Sequence, residues 1–256
     1  MAYFRKLYDP KSAEPFKISR SKIDLFIECP QCFYLDRRLG ISRPGMPAFS
    51  LNNAVDNLLK TEFDIHRAKG IAHPIMSAYN IDAVPFNDPR MDEWRDSLRR
   101  GITFLHQPTN LIVSGGIDDV WEKPNHELII VDYKATATDK EITLDDKWKQ
   151  GYKRQMEVYQ WLFRRNEFLV DSTGIFVFVN GKADKQAFDA KLEFDVQIIS
   201  YVGDDSWVEG KVIEIKQCLD SSLVPESSEN CEHCNYRKKI NSVLLFFDDY
   251  GSLIRE

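Results

Sequence analysis

The feature that most constrains the fold is a pair of strand-like segments joined by a short polar turn. The segments are LIVSGGIDDVW, beginning at Leu111, and LIIVDYKAT, beginning at Leu128, with KPNHE between them. Apolar runs that flank a turn containing Pro and Asn predict a β-hairpin. A turn centred on Asn125 places Asp118 directly opposite Asp132 on the neighbouring strand.

Two opposed carboxylates restrict the chemistry of this hairpin. Directly opposed residues have Cβ atoms about 4.5 to 5.5 Å apart, so two negative charges there repel each other. A hard divalent cation reverses this penalty, because Mg²⁺ is typically held by one or two carboxylates together with water and phosphate oxygens. Lys134 lies two positions beyond Asp132 and therefore on the same face of the strand. The alternative from spacing alone is a solvated ion pair between Asp132 and Lys134.

The second strand of the hairpin is expected to lie inside the protein. Its residues 128–131 are apolar at consecutive positions, as is typical of a strand covered on both faces. Charged residues at the end of such a strand are costly unless they are paired or bind a metal. Helical patterns precede and follow the hairpin, and two further strands come after it. This order predicts an α/β fold with a mixed central sheet flanked by helices.

The chain is expected to form one domain between two extended ends. We predict an N-terminal arm at 1–18, a single domain at 19–239 and a C-terminal tail at 240–256. Within the domain, the sheet core is expected at about 110–202, with helical parts at 19–100 and 205–239. The periodicity predicts helices at 19–39 with a break at Cys29-Pro30, at 51–67, 92–100, 146–166 and 205–218, and later strands at 173–179 and 191–201.

Composition restricts the classes of protein to which the chain can belong. With 256 residues, of which 43% are hydrophobic, the chain is long enough for one well-buried core. No uninterrupted apolar stretch approaches the roughly 18 to 20 residues of a membrane span, and the first residues lack the apolar segment of a secretion signal. We therefore expect a soluble, cytoplasmic protein with no membrane contact. The net charge of −6 argues against a general nucleic-acid coat protein, but it is compatible with an enzyme whose basic residues line one groove.

The motifs of the hairpin resemble a known family. The segment GGID ending at Asp118, followed by VDYK ending at Lys134, resembles the core signature of the PD-(D/E)xK nuclease superfamily, and most closely its RecB- and AddB-like branch with the RecB-like CRISPR-associated exonucleases. The resemblance implies that Asp118 and Asp132 bind a catalytic Mg²⁺ or Mn²⁺ and that Lys134 assists catalysis. It also implies that the backbone carbonyl of Tyr133 completes the metal shell.

Two further elements of this branch are present in full or in part. Gln155 and Tyr159 reproduce a Q-x-x-x-Y motif, to which the resemblance assigns contact with the substrate or support for Lys134. The alternative for Tyr159 is an ordinary core position on an amphipathic helix. RecB-like nucleases often carry a metal-binding His on an early helix, and the corresponding position here is Asp56. Asp56 is then either a third oxygen ligand of the metal or an exposed helical residue.

Two C-x-x-C pairs lie almost at opposite ends of the chain. The pairs are Cys29 with Cys32 and Cys231 with Cys234, and each can supply two thiolates to a tetrahedral site. Together they predict a clasp that holds Zn²⁺ or a [4Fe–4S] cluster, the alternative being four reduced cysteines without a metal. The RecB-like relatives usually take one Cys from the N-terminus and three from the C-terminus. The last of these positions is Ile240 here, so Cys32 is the candidate replacement.

The leading interpretation is a metal-dependent deoxyribonuclease that processes DNA single strands or duplex ends, as in DNA repair. The resemblance also makes a helicase or a protein of CRISPR adaptation a candidate partner. The alternative is a weakly active or inactive nuclease-fold protein that binds DNA or serves as a scaffold held by the cysteine clasp. The three hairpin residues favour the first interpretation, and the missing His favours the second.

Overall fold

The structure is a computed structural model that describes residues 6–45 and 50–253, with side chains described up to residue 244. The strands are β1 (Phe16–Ser19), β2 (Val84–Pro85), β3 (Ile102–His106), β4 (Leu111–Gly115), β5 (Asp119–Glu122), β6 (Leu128–Thr136), β7 (Thr173–Gly181) and β8 (Phe194–Val202). The helices are α1 (Arg20–Glu28), α2 (Pro30–Arg38), α3 (Ser50–Lys69), α4 (Pro74–Ala78), α5 (Met91–Arg95), α6 (Gln150–Arg165), α7 (Ser206–Asp220) and α8 (Glu232–Leu253).

The strands form two sheets. The larger sheet has the order β2-β5-β6-β7-β8, in which β6 and β7 are parallel and the other neighbours are antiparallel. The smaller sheet has the order β1-β4-β3, with β1 parallel and β3 antiparallel to β4. The predicted α/β fold with a mixed sheet flanked by helices is therefore confirmed.

The two faces of β6 explain why its sequence is apolar at consecutive positions. Ile129 and Val131 face one core cluster, which contains Phe63 of α3. Ile130 faces the other cluster, which contains Met156 of α6. Successive strand residues point to opposite faces, so Asp132 shares the face of Ile130 and is directed toward α6.

The hairpin has the register that the sequence predicts. Asp119 pairs with Val131, and Val120 pairs with Ile130, which corresponds to a turn centred on Asn125. Asp118 immediately precedes β5, so the ladder stops at the level of the two carboxylates. The candidate site therefore lies at the open end of the hairpin, where β6 continues without β5 beside it.

The segment that we predicted as the first hairpin strand is two strands in different sheets. β4 ends at Gly115, and β5 begins at Asp119. The chain changes sheets at two glycines, where a side chain would not fit. A Cβ on Gly115 would lie 2.7 Å from the ring of Tyr159, and one on Gly116 would collide with Ser97.

Other boundaries also differ from the prediction. The end of the predicted N-terminal arm is β1, which pairs with β4, and the predicted helix at 92–100 ends at Arg95. Its continuation is a turn in which the Asp96 carboxylate accepts a hydrogen bond from the N–H of Arg99. Residues 240–253 of the predicted tail belong to α8, and 254–256 lie outside the described residues. No helix among the described residues combines the length and the apolar character that a membrane crossing needs.

Candidate active site

The three hairpin residues predicted from the sequence lie together at the open end of β5 and β6. The Asp118 carboxylate accepts a hydrogen bond of 2.9 Å from the N–H of Tyr133. Asp132 is fully buried, and the Lys134 ammonium lies against its Oδ2 atom. Asp118, Tyr133 and Lys134 line a polar cavity of about 450 Å³ between α3, α6 and the hairpin, which we call the active-site cavity.

The predicted Q-x-x-x-Y pair joins this group from α6. The Gln155 amide nitrogen donates to Asp132 Oδ1 over 2.7 Å and to the Tyr159 hydroxyl over 3.1 Å. Its amide oxygen accepts from Lys134 Nζ over 3.3 Å. Both residues are buried. Gln155 therefore holds the carboxylate and the ammonium in fixed positions, while Tyr159 anchors Gln155 and packs into the core.

The environment of Asp132 favours a cation. Burial raises the pKa of Asp132 to about 6, with repulsion by Asp118 adding to the effect and attraction by Lys134 opposing it. Among the described residues, Asp132 Oδ2 contacts one cation, the Lys134 ammonium. A buried carboxylate is costly unless it is paired or binds a metal. The raised pKa indicates that Lys134 alone does not offset burial and repulsion by Asp118, so a metal ion at this carboxylate would be favourable.

Asp56, the predicted third metal ligand, also lines the active-site cavity. Its partner is Lys60, whose Nζ lies 2.7 Å from Asp56 Oδ2 and 3.2 Å from Asp118 Oδ1. Burial and the nearby Asp118 raise the pKa of Asp56 despite this lysine. Asp56 and Asp118 thus face the same cation, which is Lys60.

A divalent cation fits the donors at the open end of the hairpin. Asp118 and Asp132 supply carboxylate oxygens on one face. The N–H and C=O of a strand residue point to the same side, so the Tyr133 carbonyl faces the edge at which its N–H meets Asp118. All three are oxygen donors of the kind that Mg²⁺ and Mn²⁺ prefer. Asp56 belongs to this set only if Lys60 moves away.

Three cationic residues near the site were not singled out from the sequence. Lys60 lies one helical turn beyond Asp56, and this i,i+4 spacing was the available signal. Arg95 donates to the backbone carbonyl of Asp118 over 3.0 Å. Arg20, the first residue of α1, also lines the active-site cavity. Burial lowers the pKa of Arg20, but attraction to Tyr159, Asp24 and Asp132 outweighs this effect and raises it.

The buried Asp119 links the hairpin to α3 next to the site. Its carboxylate forms an ion pair with Arg67 of α3 and accepts a hydrogen bond of 2.7 Å from the Tyr133 hydroxyl. Asp119 is fully buried, so it would be strongly destabilising without these partners. The pairing fixes α3, which carries Asp56, against the hairpin that carries Asp118.

The four predicted clasp cysteines form one cluster, in which the residues around the start of α2 meet those at the start of α8. Their sulfur atoms all lie within 4.8 Å of one another, and all four residues are buried. Three of the six separations are 3.7 Å from Cys29 to Cys234, 3.6 Å from Cys32 to Cys231 and 3.5 Å from Cys32 to Cys234. Among the described residues, no other group of three or more His, Cys, Asp or Glu side chains brings its ligand atoms this close together.

Two arginines face the sulfur atoms. Arg237 donates to Cys234 Sγ over 3.0 Å, and Arg43 donates to Cys231 Sγ over 3.6 Å. Burial raises the pKa of Cys234 to about 12, whereas hydrogen bonds from neighbouring backbone outweigh burial at Cys29 and lower its pKa to about 6. The cationic surroundings compensate the negative charge that a set of metal-bound thiolates carries.

Comparisons with known proteins identify the family of the chain. No curated protein matches the sequence significantly. The solved structure described as "Crystal structure of SSO0001" matches with a TM-score of 0.39 and 16% sequence identity, over 84% of this chain and 81% of that chain. The sequence model of the PD-(D/E)XK nuclease superfamily matches residues 75–238, a span that includes Asp118, Asp132 and Lys134. Because this match extends over more than half of the sequence, the chain belongs to the PD-(D/E)XK nuclease superfamily.

Proposed function

We propose that this protein is a Mg²⁺- or Mn²⁺-dependent nuclease that hydrolyses DNA phosphodiester bonds. One observation carries the proposal: Asp118 and Lys134 line an open polar cavity, and Lys134 contacts the buried carboxylate of Asp132. The superfamily membership supports nuclease chemistry. The choice of DNA and the assignment to the RecB- and AddB-like branch follow the sequence motifs.

Some residues of the site would bind the metal, and Lys134 would orient the reacting groups. Asp118, Asp132 and the Tyr133 carbonyl would hold the metal, which when bound lowers the pKa of a water and polarises the phosphate. The Lys134 ammonium is held by Gln155 and lies 4.5 Å from the centre of the Tyr152 ring. From this position Lys134 orients the attacking water or stabilises the charge that develops on the phosphate oxygens.

An aromatic pair beside the active-site cavity, in which the ring of Trp148 is exposed, supports action on single strands or frayed ends. Trp148 is 64% exposed, and its ring meets Tyr152 edge to face with 5.5 Å between the centroids. Tyr152 itself lines the active-site cavity. Exposed aromatic rings stack with unpaired bases of any sequence, whereas the bases of an intact duplex are already stacked.

The test is cleavage of labelled single-stranded and duplex DNA by purified protein, with Mn²⁺, with Mg²⁺ or with EDTA. We expect cleavage with either metal and none with EDTA. Asp132→Asn keeps the shape of the side chain and should abolish cleavage while the protein remains folded by circular dichroism. Cleavage that persists in Asp132→Asn or in EDTA would contradict the proposal, and so would an inactive wild type.

One observation favours the second candidate, a nuclease-fold protein that binds DNA without cutting it. Lys60 already neutralises Asp56 and Asp118, so these carboxylates do not need a metal to relieve their repulsion. Lys60→Gln separates the two functions. A nuclease should bind Mn²⁺ more tightly after this change, because a competing cation has been removed. A metal-free binding protein should instead lose stability that Mn²⁺ does not restore, because two carboxylates then face each other without compensation.

We further propose that the cysteine clasp holds a single Zn²⁺. Zinc binds thiolates at about 2.3 Å in a tetrahedron, which places the sulfur atoms about 3.8 Å apart. The three separations of 3.5 to 3.7 Å are close to this value. A [4Fe–4S] cluster attaches each thiolate to a different iron, and the inorganic core then holds the sulfur atoms farther apart. Reduced cysteines of this kind suit a cytoplasmic protein.

Metal analysis of the purified protein tests this assignment. We expect one zinc per chain and a colourless protein. A brown protein that contains iron and sulfide would refute the zinc assignment and leave the nuclease proposal intact.

Because the clasp joins α1 to α8, we also propose that residues 19–239 fold as a single domain. Limited proteolysis with and without a chelator would test this.

A further inference from the structure

A second cavity opens beside the active-site cavity, and we call it the basic cavity. Its volume is about 580 Å³. Six cationic side chains line it, and none of its described lining residues is acidic. The six are Lys17, Arg20, Lys22, Arg37, Arg99 and Arg100. The chain as a whole has a net charge of −6, so this concentration of positive charge is local and not a consequence of composition.

The basic cavity and the active-site cavity are continuous. Four residues line both of them: Arg20, Ser97, Gly116 and Tyr159. Gly116 is two residues from Asp118. A ligand that extends from the basic cavity therefore reaches the metal-binding carboxylates without crossing another element.

The walls of the basic cavity are the β1–α1 segment and the turn after α5. Lys17 Nζ donates to the backbone carbonyl of Arg100 over 2.9 Å and thereby ties this turn to β1. Lys22 and Arg100 each form an ion pair with a carboxylate at the margin, Asp36 and Asp96 respectively.

Arg99 is the most available of these cations. It is exposed, and its side chain makes no hydrogen bond or ion pair with any residue that the structure describes. Its neighbour Leu98, at the tip of the same turn, is 91% exposed. On the other side of the site, Lys149 pairs with Asp146 and Arg154 of α6 pairs with Asp24. Lys147 is exposed there, but it shares its cavity with the carboxylates of Asp24 and Glu28. The basic cavity thus differs from the cavity on that side, because its described lining has cations and no carboxylates.

We infer that the basic cavity binds the backbone phosphates of the nucleic-acid strand that adjoin the scissile bond. Guanidinium groups bind phosphate oxygens through two parallel hydrogen bonds, and serine hydroxyls add further donors. Ser19, Ser21 and Ser114 also line this cavity. Phosphate contacts of this kind fix the position of a strand without reading its sequence. The inference rests on the proposed nuclease function and adds to it the direction in which the substrate leaves the site.

Binding of fluorescein-labelled oligothymidylate and oligocytidylate, measured by anisotropy in EDTA, tests this inference. EDTA prevents cleavage, and the phosphate contacts proposed here do not pass through the metal. The variants are Arg99→Ala and Arg99→Glu, in an exposed turn where neither change removes a packed side chain. Lys69→Ala and Lys69→Glu are matched controls, since Lys69 is also exposed and lies 13 residues beyond Asp56 on α3, about 20 Å along the helix.

We expect Arg99→Ala to raise the Kd about fivefold for both oligonucleotides and Arg99→Glu to raise it further. The slope of log Kd against the logarithm of the salt concentration should be smaller by about 0.7 for Arg99→Ala, which is the contribution of one phosphate contact on a single strand. The Lys69 variants should bind as the wild type does.

Three results would overturn the inference: Arg99 variants that bind like the wild type, equal weakening by the Lys69 variants, or an effect confined to one of the two bases. A wild type that shows Arg99-dependent binding but no cleavage with Mg²⁺ or Mn²⁺ would refute the nuclease proposal and still support the basic cavity.

Discussion

Gln155 connects α6 to both charged residues of β6, and its removal is the most direct test of the candidate active site. Its amide donates to Asp132 Oδ1 over 2.7 Å and accepts from Lys134 Nζ over 3.3 Å. Asp132 is 0% exposed, so Gln155→Ala leaves a buried carboxylate oxygen without its donor. The loss of a donor to a buried acceptor costs about 1 to 3 kcal/mol in the free energy of unfolding. Lys134 also loses the contact that holds it in place.

The same helix offers a matched control. Gln160 is 0% exposed, and its amide donates to the backbone carbonyls of Asp171 over 3.1 Å and Ser172 over 2.9 Å. Gln160→Ala therefore removes the same residue type, with a similar number of hydrogen bonds, from a position that does not touch the charged residues of the site. Both variants should lose about 1 to 3 kcal/mol of stability in urea denaturation.

Cleavage as a function of Mn²⁺ concentration separates the two variants. Removing a residue that orients a metal ligand typically costs about 10- to 100-fold in metal affinity or activity. We expect a loss of that size for Gln155→Ala and near-normal cleavage by Gln160→Ala at a temperature where both are folded. If Gln155→Ala cleaves with the metal dependence of the wild type, or if Gln160→Ala loses as much activity, then Gln155 does not organise the site.

Two further predictions concern ion pairs that support the fold. Asp119→Asn should lower the free energy of unfolding by about 3 to 5 kcal/mol in urea denaturation, because the buried guanidinium of Arg67 then keeps only the half-exposed Asp64 as an anion; a loss below about 1 kcal/mol would contradict this. Burial raises the pKa of Asp171, but the ion pair with Lys123 and hydrogen bonds from Thr173 outweigh it, so the folded-state pKa lies below the unfolded value of about 3.9. The stability advantage of the wild type over Asp171→Asn should therefore be complete above about pH 5 and disappear as the pH falls through the folded-state pKa; an advantage that grows on acidification would refute this assignment.

The sequence was most informative where the determining interactions are local. The turn KPNHE and the apolar run before Asp132 predicted the register of the hairpin, and Pro30 predicted the break between α1 and α2. Pro is favoured at the first position of a helix and cannot continue the preceding one, so one residue determines this boundary. The resemblance assigned Gln155 contact with the substrate or support for Lys134, and its hydrogen bond to Asp132 was not predicted, since helical periodicity alone does not say which strand the helix covers.

Contacts between distant segments were not predictable from the sequence in this way. β1 pairs with β4 across more than 90 residues, and four residues of strand carry too weak a pattern to indicate that partner. The same holds for Arg20, which reaches the site only because α1 packs against α6. Lys60 was missed for another reason. Its spacing from Asp56 suggests an ordinary surface ion pair, and only the position of Asp118 gives it a second carboxylate.

The clasp and the candidate active site are mechanically linked through α1. Arg20 begins this helix, Cys29 follows its last residue, and Asp24 between them forms an ion pair with Arg154 of α6. A helix of nine residues is about 13.5 Å long, so its two ends lie close enough for movement at the clasp to displace Arg20.

We therefore expect Cys29→Ser to lower the melting temperature and to weaken both DNA binding and cleavage, because the metal is bound less tightly and α1 is released. Asp132→Asn should abolish cleavage while leaving the metal content of the clasp unchanged. If Cys29→Ser lost its clasp metal and stability but still bound and cleaved DNA as the wild type does, α1 would not couple the clasp to the site, and Arg20 would be held by α6 alone.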